Sequence, residues 1–390
     1  MQTINPEIHQ SIHPLGTVRL FASPNTWMTD EALRQLYAAA KLEGVRLAAG
    51  FPDLHAGKGS PNGAAFVTEG AIYPHLIGGD IGCGMALFKT DLVQRDIKLE
   101  QWAEARFDLE HPWEGEAGEI LAAFELDSTE FDSALGTIGG GNHFAELQKV
   151  EQVLNAKAFK ELGLGRQQLV VLVHSGSRGL GEAILRSYEQ ENSDSGCAAE
   201  SFAAAAYLRE HDLAVRWAKA NRALIARRFA DALGAEAEVL WDGCHNSIAA
   251  SGIDQSLLTS AATYIHRKGA VAAEGDFVVI PGSCGSLSYL VRPIGDGESH
   301  AWSLAHGAGR KWGRSETRLR MRERFSVPEL EHTPLGGRVI CEQRESLYEE
   351  APAAYKNIGD VVQDLVDAEL VSVVATFRPI LTYKSRKQAR

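Results

Sequence analysis

Asp80 and Cys83 stand three residues apart in Gly78-Gly79-Asp80-Ile81-Gly82-Cys83-Gly84-Met85, and an apolar run, Met85-Ala86-Leu87-Phe88, follows. Glycine lets the backbone bend until two short side chains converge. A soft thiolate beside a hard carboxylate suits a transition metal such as Zn, Mn, Co or Fe. Taken alone, the segment reads equally well as a tight loop around an inert buried cysteine. Three histidines occupy comparable settings. His143 follows Gly139-Gly140-Gly141-Asn142, His174 closes the apolar run Leu169-Val170-Val171-Leu172-Val173, and His245 follows Asp242-Gly243-Cys244. Any one histidine at a strand end is more often a satisfied polar residue than a ligand. Asp80, Cys83, His143, His174 and His245 together exceed one tetrahedral site and point to two metals sharing a ligand. Cys83 is the natural bridge, with Cys244 its weaker rival.

A second kind of chemistry is written into Leu304-Ala305-His306-Gly307-Ala308-Gly309-Arg310. Its Gly-x-Gly backbone suits the cradling of phosphates, and a basic run follows. Arg310, Lys311, Arg314, Arg318, Arg320, Arg322 and Arg324 stand against only Glu316 and Glu323. Arg310, Arg314, Arg318 and Arg322 recur every four residues, a cationic stripe on a helix; a solvated helix face is the commoner fate of such runs. A second basic cluster, Lys384, Arg386, Lys387 and Arg390, closes the chain. His306 in this setting suits a nucleophile attacking phosphorus. Asp53, in Pro52-Asp53-Leu54-His55-Ala56-Gly57-Lys58-Gly59, either orients a histidine or metal or caps a turn. Arg178, in Ser175-Gly176-Ser177-Arg178-Gly179, reads as a phosphate or carboxylate clamp. His55 and Lys58 are left without a role, and His75 and His211 read as structural. The residues thus describe a dinuclear metalloenzyme that works on phosphates.

The elements that must position these groups are those of an α/β (mixed α+β) chain. Strands over Val45–Ala49, Ala64–Thr68, Leu169–Val173, Glu238–Trp241, Val278–Ile280 and Leu370–Tyr383 end in the glycine-rich or polar segments, where ligands of α/β sheets sit. A loop over Pro52–Gly63 is expected to carry Asp53. Helices are expected from Asp30 to about Lys41, through 99–126, over Ala198–Ala232 as one or two long elements, along the basic run, and through Tyr355-Lys356. No repeat, low-complexity stretch or linker is visible, which favours one integrated domain, 1–390. The 45% hydrophobic and 23% charged residues are those of an ordinary globular chain. A net charge of −12 argues against a generic nucleic-acid binder. Five widely spaced cysteines with no CxxC pair are no disulfide framework. With no apolar run near 18 residues and no signal-type N-terminus, a cytoplasmic, non-membrane protein is expected.

The motifs PDLHAGKG, DIGCGM, GGGNHFAE, HSGSRG, the HN of Cys244-His245-Asn246, RKGA, PGSCGS, HGAGR, AYK and the final Lys384 resemble, in order and over nearly the whole chain, those of the RtcB family of GTP- and Mn²⁺-dependent RNA ligases. The DIGCGMALFKT wording and the short length look most like the bacterial subgroup associated with a peptide-release-factor homologue, a partner in the same pathway. The resemblance implies that Asp80, Cys83 and His143 hold one Mn²⁺ and that Cys83, His174 and His245 hold the other. It implies that His306 becomes guanylylated and that Asp53 orients it. Asn142, Phe144, Glu146, Ser283, Gly307, Gly309, Tyr355 and Lys384 would line the GTP pocket, with Glu146 reading the guanine edge and Asn246 a triphosphate oxygen. Arg178 and Arg310 would hold RNA or GTP phosphates. The implied reaction joins a 2′,3′-cyclic phosphate or 3′-phosphate end of an RNA, such as tRNA or rRNA, to a 5′-hydroxyl end. Cys284 stands where the family has Met, Ala305 where Ser precedes the nucleophile, and Lys384 lies six residues from the end rather than nearly at it.

Two other readings compete. A metal-dependent cyclic phosphodiesterase would need the metals but neither GTP nor a guanylylated His306. A non-catalytic RNA- or ribosome-binding homologue is disfavoured because every ligand position is filled.

Overall fold

Two sheets form opposite walls of one cavity. The computed structural model describes residues 9–13, 16–105, 107–192, 196–250 and 262–385. The first sheet has six strands, in the order His9–His13, Gly16–Leu20, Val45–His55, Asn62–Glu69, Thr263–Lys268 and Asn246–Ala250. The second runs Ala237–Cys244, Gly84–Val93, Gln168–Ser175, Phe144–Val153, Val371–Ser385, Ser288–Pro293 and Val278–Ile280, and Arg338–Cys341 joins Val371–Ser385 in parallel.

The first five strands of the second sheet are antiparallel neighbours, so starts and ends alternate along one edge. Gly84 pairs with both Cys244 and Ser175, His174 pairs with Met85 and Phe144, and Tyr383 pairs with Ala145. Cys83, His143, His174, His245 and Lys384 therefore arrive together at that edge. The central strand, Gln168–Ser175, is buried from Leu169 onward, which matches its unbroken Leu/Val run.

Phe202–Leu233 is a single helix. Ser201 caps its start by accepting from the Ala204 amide, and Gly234, at φ 73°, ends it in the left-handed region. Ile225, Ala226, Phe229 and Leu233 pack on Ala86, Phe88, Val171 and Val173 of the second sheet.

Several elements differ from the sequence expectation. The strand from Val45 runs on to His55, so Asp53 lies on a strand rather than in the loop, beyond a register break after Gly50. The 99–126 stretch is two short helices, Leu99–Glu104 and Ala117–Ala123, since Pro112 cannot continue a helix. The basic helix spans Arg314–Arg322, leaving Arg310 before it, bridged to Tyr355. Tyr355 and Lys356 precede the helix Ile358–Asp367, which Asn357 caps. Of the closing basic cluster, Arg386, Lys387 and Arg390 lie outside the described residues. No helix among the described residues is long and apolar enough to cross a membrane.

Candidate active site

The cavity between the sheets has a volume of about 930 Å³. Leu54, His55, Asn62 and Asn246 line it from the first sheet, and Met85, Phe144, Glu146, His174, Thr382 and Lys384 from the second.

At its floor Cys83 Sγ lies 3.4 Å from His143 Nε2 and 3.3 Å from His174 Nε2. His143 Nδ1 donates to the Ile138 carbonyl (3.0 Å), and His174 Nδ1 donates to the Asn142 carbonyl (3.1 Å). These bonds leave a lone pair on each Nε2, pointed inward. His143 Nε2 also faces Asp80 Oδ2 at 3.1 Å. The His245 ring packs 5.1 Å from that of His174, and its buried Nδ1 has no hydrogen-bond partner among the described residues. Burial, then neighbouring histidines, holds His174 and His245 well below the usual imidazole range, so both are neutral. Burial, then Asp80, pushes the Cys83 thiol well up. The ligand atoms of Cys83, His143 and His174 thus converge, with Asp80 and His245 beside them rather than in the cluster. That is the chemistry of a cation site, and the donor set fits a transition metal. Cys83, His143 and His174 offer ligand atoms all within 4.8 Å of one another.

On the facing side, His306 Nδ1 donates to Asp53 Oδ2 at 2.6 Å, and the His306 amide donates to the same oxygen at 3.1 Å. Asp53 is fully buried and its Oδ1 has no hydrogen-bond partner among the described residues. The pair fixes the tautomer with a lone pair on His306 Nε2. Glycine is required at two places here. A Cβ on Gly309 (φ 71°) would meet the Asp53 carbonyl oxygen at 2.3 Å, and one on Gly269 would meet His306 Cε1 at 2.9 Å. His306 also packs 4.7 Å from the His245 ring and 6.5 Å from His55, which stacks on it. The sequence left His55 without a role; its Nδ1 donates to the Asp53 carbonyl at 2.8 Å.

Further along the cavity lie Asn142, Phe144, Glu146, Ser283, Gly307, Tyr355 and Lys384. Glu146 is buried, accepts from Gln148 Nε2 at 2.6 Å and from the Thr382 hydroxyl, and is pushed up to about 7 by burial. The Tyr355 hydroxyl donates to Glu350, and Lys384 Nζ donates to the His143 carbonyl at 3.4 Å. Asn246 has its amide engaged by backbone at both ends, donating to the Asp80 carbonyl and accepting from the Gly269 amide.

The cations depart most from expectation. Arg310 gives its donors to the protein: Glu350 Oε1 (3.1 Å), the Glu349 carbonyl (2.8 Å), the Trp312 carbonyl (3.2 Å) and Thr317. Arg318 pairs with Glu345 and Glu349, and Arg322 with Glu345. The stripe is thus largely matched by the acidic face of Arg344–Glu349, which sequence spacing could not reveal. Arg178, at φ 57°, does not line the cavity. Arg314 and Arg320 do, although both also meet acids: Arg314 reaches Asn142 Oδ1 at 3.2 Å with its Nε 3.5 Å from Glu350, and Arg320 pairs with Glu316 at 2.7 Å while lying over the Trp312 ring.

A family model described as tRNA-splicing ligase RtcB matches residues 35–114 and 116–385. The chain is 42% identical over 376 residues to the RNA-splicing ligase RtcB2 of Escherichia coli strain ATCC 25922, covering 96% of this chain and 97% of that protein. It is 30% identical over 441 residues to the tRNA-splicing ligase RtcB of Thermococcus kodakarensis, covering 90% of each, and 29% identical over 401 residues to the RNA-splicing ligase RtcB of Escherichia coli K12, covering 91% and 94%.

Proposed function

Because the chain belongs to the RtcB family and is an RNA ligase, we propose that it joins 2′,3′-cyclic phosphate or 3′-phosphate RNA ends to 5′-hydroxyl ends through a guanylylated His306. The observation that carries this reading is the His306–Asp53 pair at the cavity wall. A 3′-phosphate is a poor electrophile, so it must be activated before a hydroxyl can displace anything from it. His306 Nε2 attacks the α-phosphorus of GTP, and pyrophosphate leaves. His306 then passes GMP to the RNA 3′-phosphate, and the 5′-hydroxyl attacks that phosphorus and expels GMP. Asp53 holds Nδ1–H and offsets the charge that the ring acquires on phosphorylation. Two Mn²⁺ ions, held by Asp80, Cys83 and His143 and by Cys83, His174 and His245, would neutralise phosphate charge and activate each nucleophile.

Incubation with labelled GTP and Mn²⁺ without RNA tests the reading. The ligase retains label covalently; a cyclic phosphodiesterase does not. The same reading treats 1–390 as one catalytic domain, supported by a family match that takes in the second sheet and four of the six strands of the first. It also takes the protein to be cytoplasmic and to have a release-factor homologue in its pathway, the latter supported by the DIGCGMALFKT wording.

Glu146 as the guanine reader makes a pH prediction. Guanine presents two N–H donors, which favour an ionised carboxylate, whereas burial holds free Glu146 at about 7. Binding must release its proton, so guanosine affinity should rise from pH 6 to pH 8 and level off above. Isothermal titration with guanosine, which lacks titrating phosphates, measures this; a flat profile, or an unchanged slope in Glu146→Gln, removes Glu146 from the role.

RNA affinity should depend on the cavity cations rather than on the whole stripe. Arg314→Glu, at a residue that lines the cavity, should weaken binding and lower the salt slope by roughly 1 for each phosphate that is no longer neutralised, while Arg322→Glu, away from the cavity lining and paired with Glu345, should change little. Filter binding across a salt series decides; equal weakening by the two variants restores the stripe as one surface.

A further inference from the structure

The long helix Phe202–Leu233 reads in sequence as Ala-rich and without chemistry, yet two adjacent polar residues on it, Asn221 and Arg222, are fully buried. Arg222 forks onto Asp242, with Nε 2.8 Å from Oδ2 and Nη2 2.6 Å from Oδ1. Its Nη1 donates to the Gly82 carbonyl (2.8 Å) and the Ser175 carbonyl (2.9 Å), and Nη2 reaches Cys244 Sγ at 3.4 Å. Gly82 adjoins Cys83, Ser175 adjoins His174, and Cys244 adjoins His245. One guanidinium thus grips the backbone or side chain next to all three members of one ligand set.

Asn221 shares Ser175 with Arg222 but reaches beyond it to a different segment. Its Oδ1 accepts from the Gly136 amide at 2.7 Å, and its Nδ2 donates to the Thr137 carbonyl (3.3 Å), Ser175 Oγ (3.1 Å) and the Gly176 carbonyl (3.2 Å). Ser175 Oγ donates in turn to the Ile138 carbonyl at 3.0 Å, the same carbonyl that takes His143 Nδ1. The chain from Asn221 therefore ends on His143, and the partners of Arg222 surround Cys83, His174 and His245.

We propose that Asn221 and Arg222 are positioning residues that divide the binuclear centre between them, Asn221 setting the site that contains His143 and Arg222 the site that contains His174 and His245. The proposal rests on the two-metal reading above. Its physical basis is that the ligand rings pack on one another and on backbone carbonyls at glycine-rich strand ends, so their positions follow the backbone that the helix holds. The helix thereby orients them from behind, as hydrogen-bonded partners of ligating groups do at metal sites. A planar fork with five donors can hold three backbone segments at fixed angles, which a flexible ammonium cannot.

The test is a Mn²⁺ titration of the full chain, with free ion counted by electron paramagnetic resonance and melting recorded in EDTA. The wild type should take up two equivalents; fewer would overturn the two-metal reading itself, and this inference with it. Removing Arg222 alone would strand Asp242, so the main variant is Arg222→Met with Asp242→Leu, an apolar replacement of the whole pair, a kind of change that folded proteins tolerate. It should retain one tight site and weaken the other by about 10–100-fold, the scale for losing a partner of a ligating group. Adding His143→Ala should abolish the retained site, whereas adding His245→Ala should not. Asn221→Leu should give the mirror result, its retained site being lost with His245→Ala. Arg222→Lys should behave as the double variant. Two sites falling together in step with the EDTA melting temperature, two sites unchanged, or a double variant that does not fold would each overturn the division, because the helix would then be only a part of the core.

Discussion

His306→Ala should keep both metals and the fold yet form no GMP adduct, and it should seal 3′-phosphate RNA ends about 10⁶-fold more slowly, the scale for removing a covalent nucleophile. The geometry sets this expectation. His306 is 14% exposed in its side chain while Asp53 is fully buried, so the ring presents one edge to the cavity and the other to a fixed acceptor. Asp53 takes both the Nδ1–H and the backbone N–H of His306 on a single oxygen, which leaves the imidazole one orientation. Asp53→Asn retains an acceptor for Nδ1–H but loses the charge that faces the phosphorylated ring. Guanylylation should therefore slow by roughly 10²–10⁴-fold, with the adduct still mapping to His306. Intact-protein mass spectrometry after GTP and Mn²⁺ treatment, followed by peptide mapping, gives the answer. An adduct that persists in His306→Ala means that another residue is the nucleophile.

The convergence of site residues was readable because each sits in a local signal: a histidine or cysteine beside glycines at the end of an apolar run. Such signals survive without knowledge of strand order, since starts and ends of antiparallel neighbours alternate along one sheet edge and bring the flanking residues together there. Asp53 stayed open between orienting a histidine or metal and capping a turn, and its place on a strand was hidden because Pro52 and the glycines after His55 mimic a loop. What escaped was everything decided by partners far along the chain. Arg310 looked like the first member of a cationic stripe, but Glu350 and the Glu349 carbonyl claim it. Arg318 and Arg322 likewise meet acids more than twenty residues away. Asn221 and Arg222 carried no local sign at all, since a polar pair on an Ala-rich helix reads as solvent-facing until the helix is laid against the second sheet. Pro112 was the exception, a local signal that should have split the 99–126 helix and was outweighed by the aromatic and acidic pattern around it.

Cys83→Ser should weaken both metal sites at once, and no other single ligand change should do so. Cys83 Sγ lies within 3.4 Å of a ring nitrogen of His143, just ahead of the strand Phe144–Val153, and of His174 on the neighbouring strand, residues assigned to different ions. Without a cation, burial and Asp80 drive its thiol well above the ordinary range, so deprotonation there is coupled to metal binding. A serine hydroxyl in the same pocket stays protonated and bridges poorly. Each ion should then bind at least about 100-fold more weakly, beyond the effect of losing a partner behind a ligand. Ligand binding stabilises the native state by RT ln(1 + [L]/Kd), about 2.7 kcal/mol at one hundred times Kd. The Mn²⁺-induced rise in melting temperature should therefore be clear in the wild type, reduced in His143→Ala and in His245→Ala, and absent in Cys83→Ser at the same Mn²⁺ concentration. A Cys83→Ser protein that keeps half of the wild-type rise would show that one ion does not touch Cys83, and the centre would have to be redrawn as two separate sites with Cys83 in only one of them.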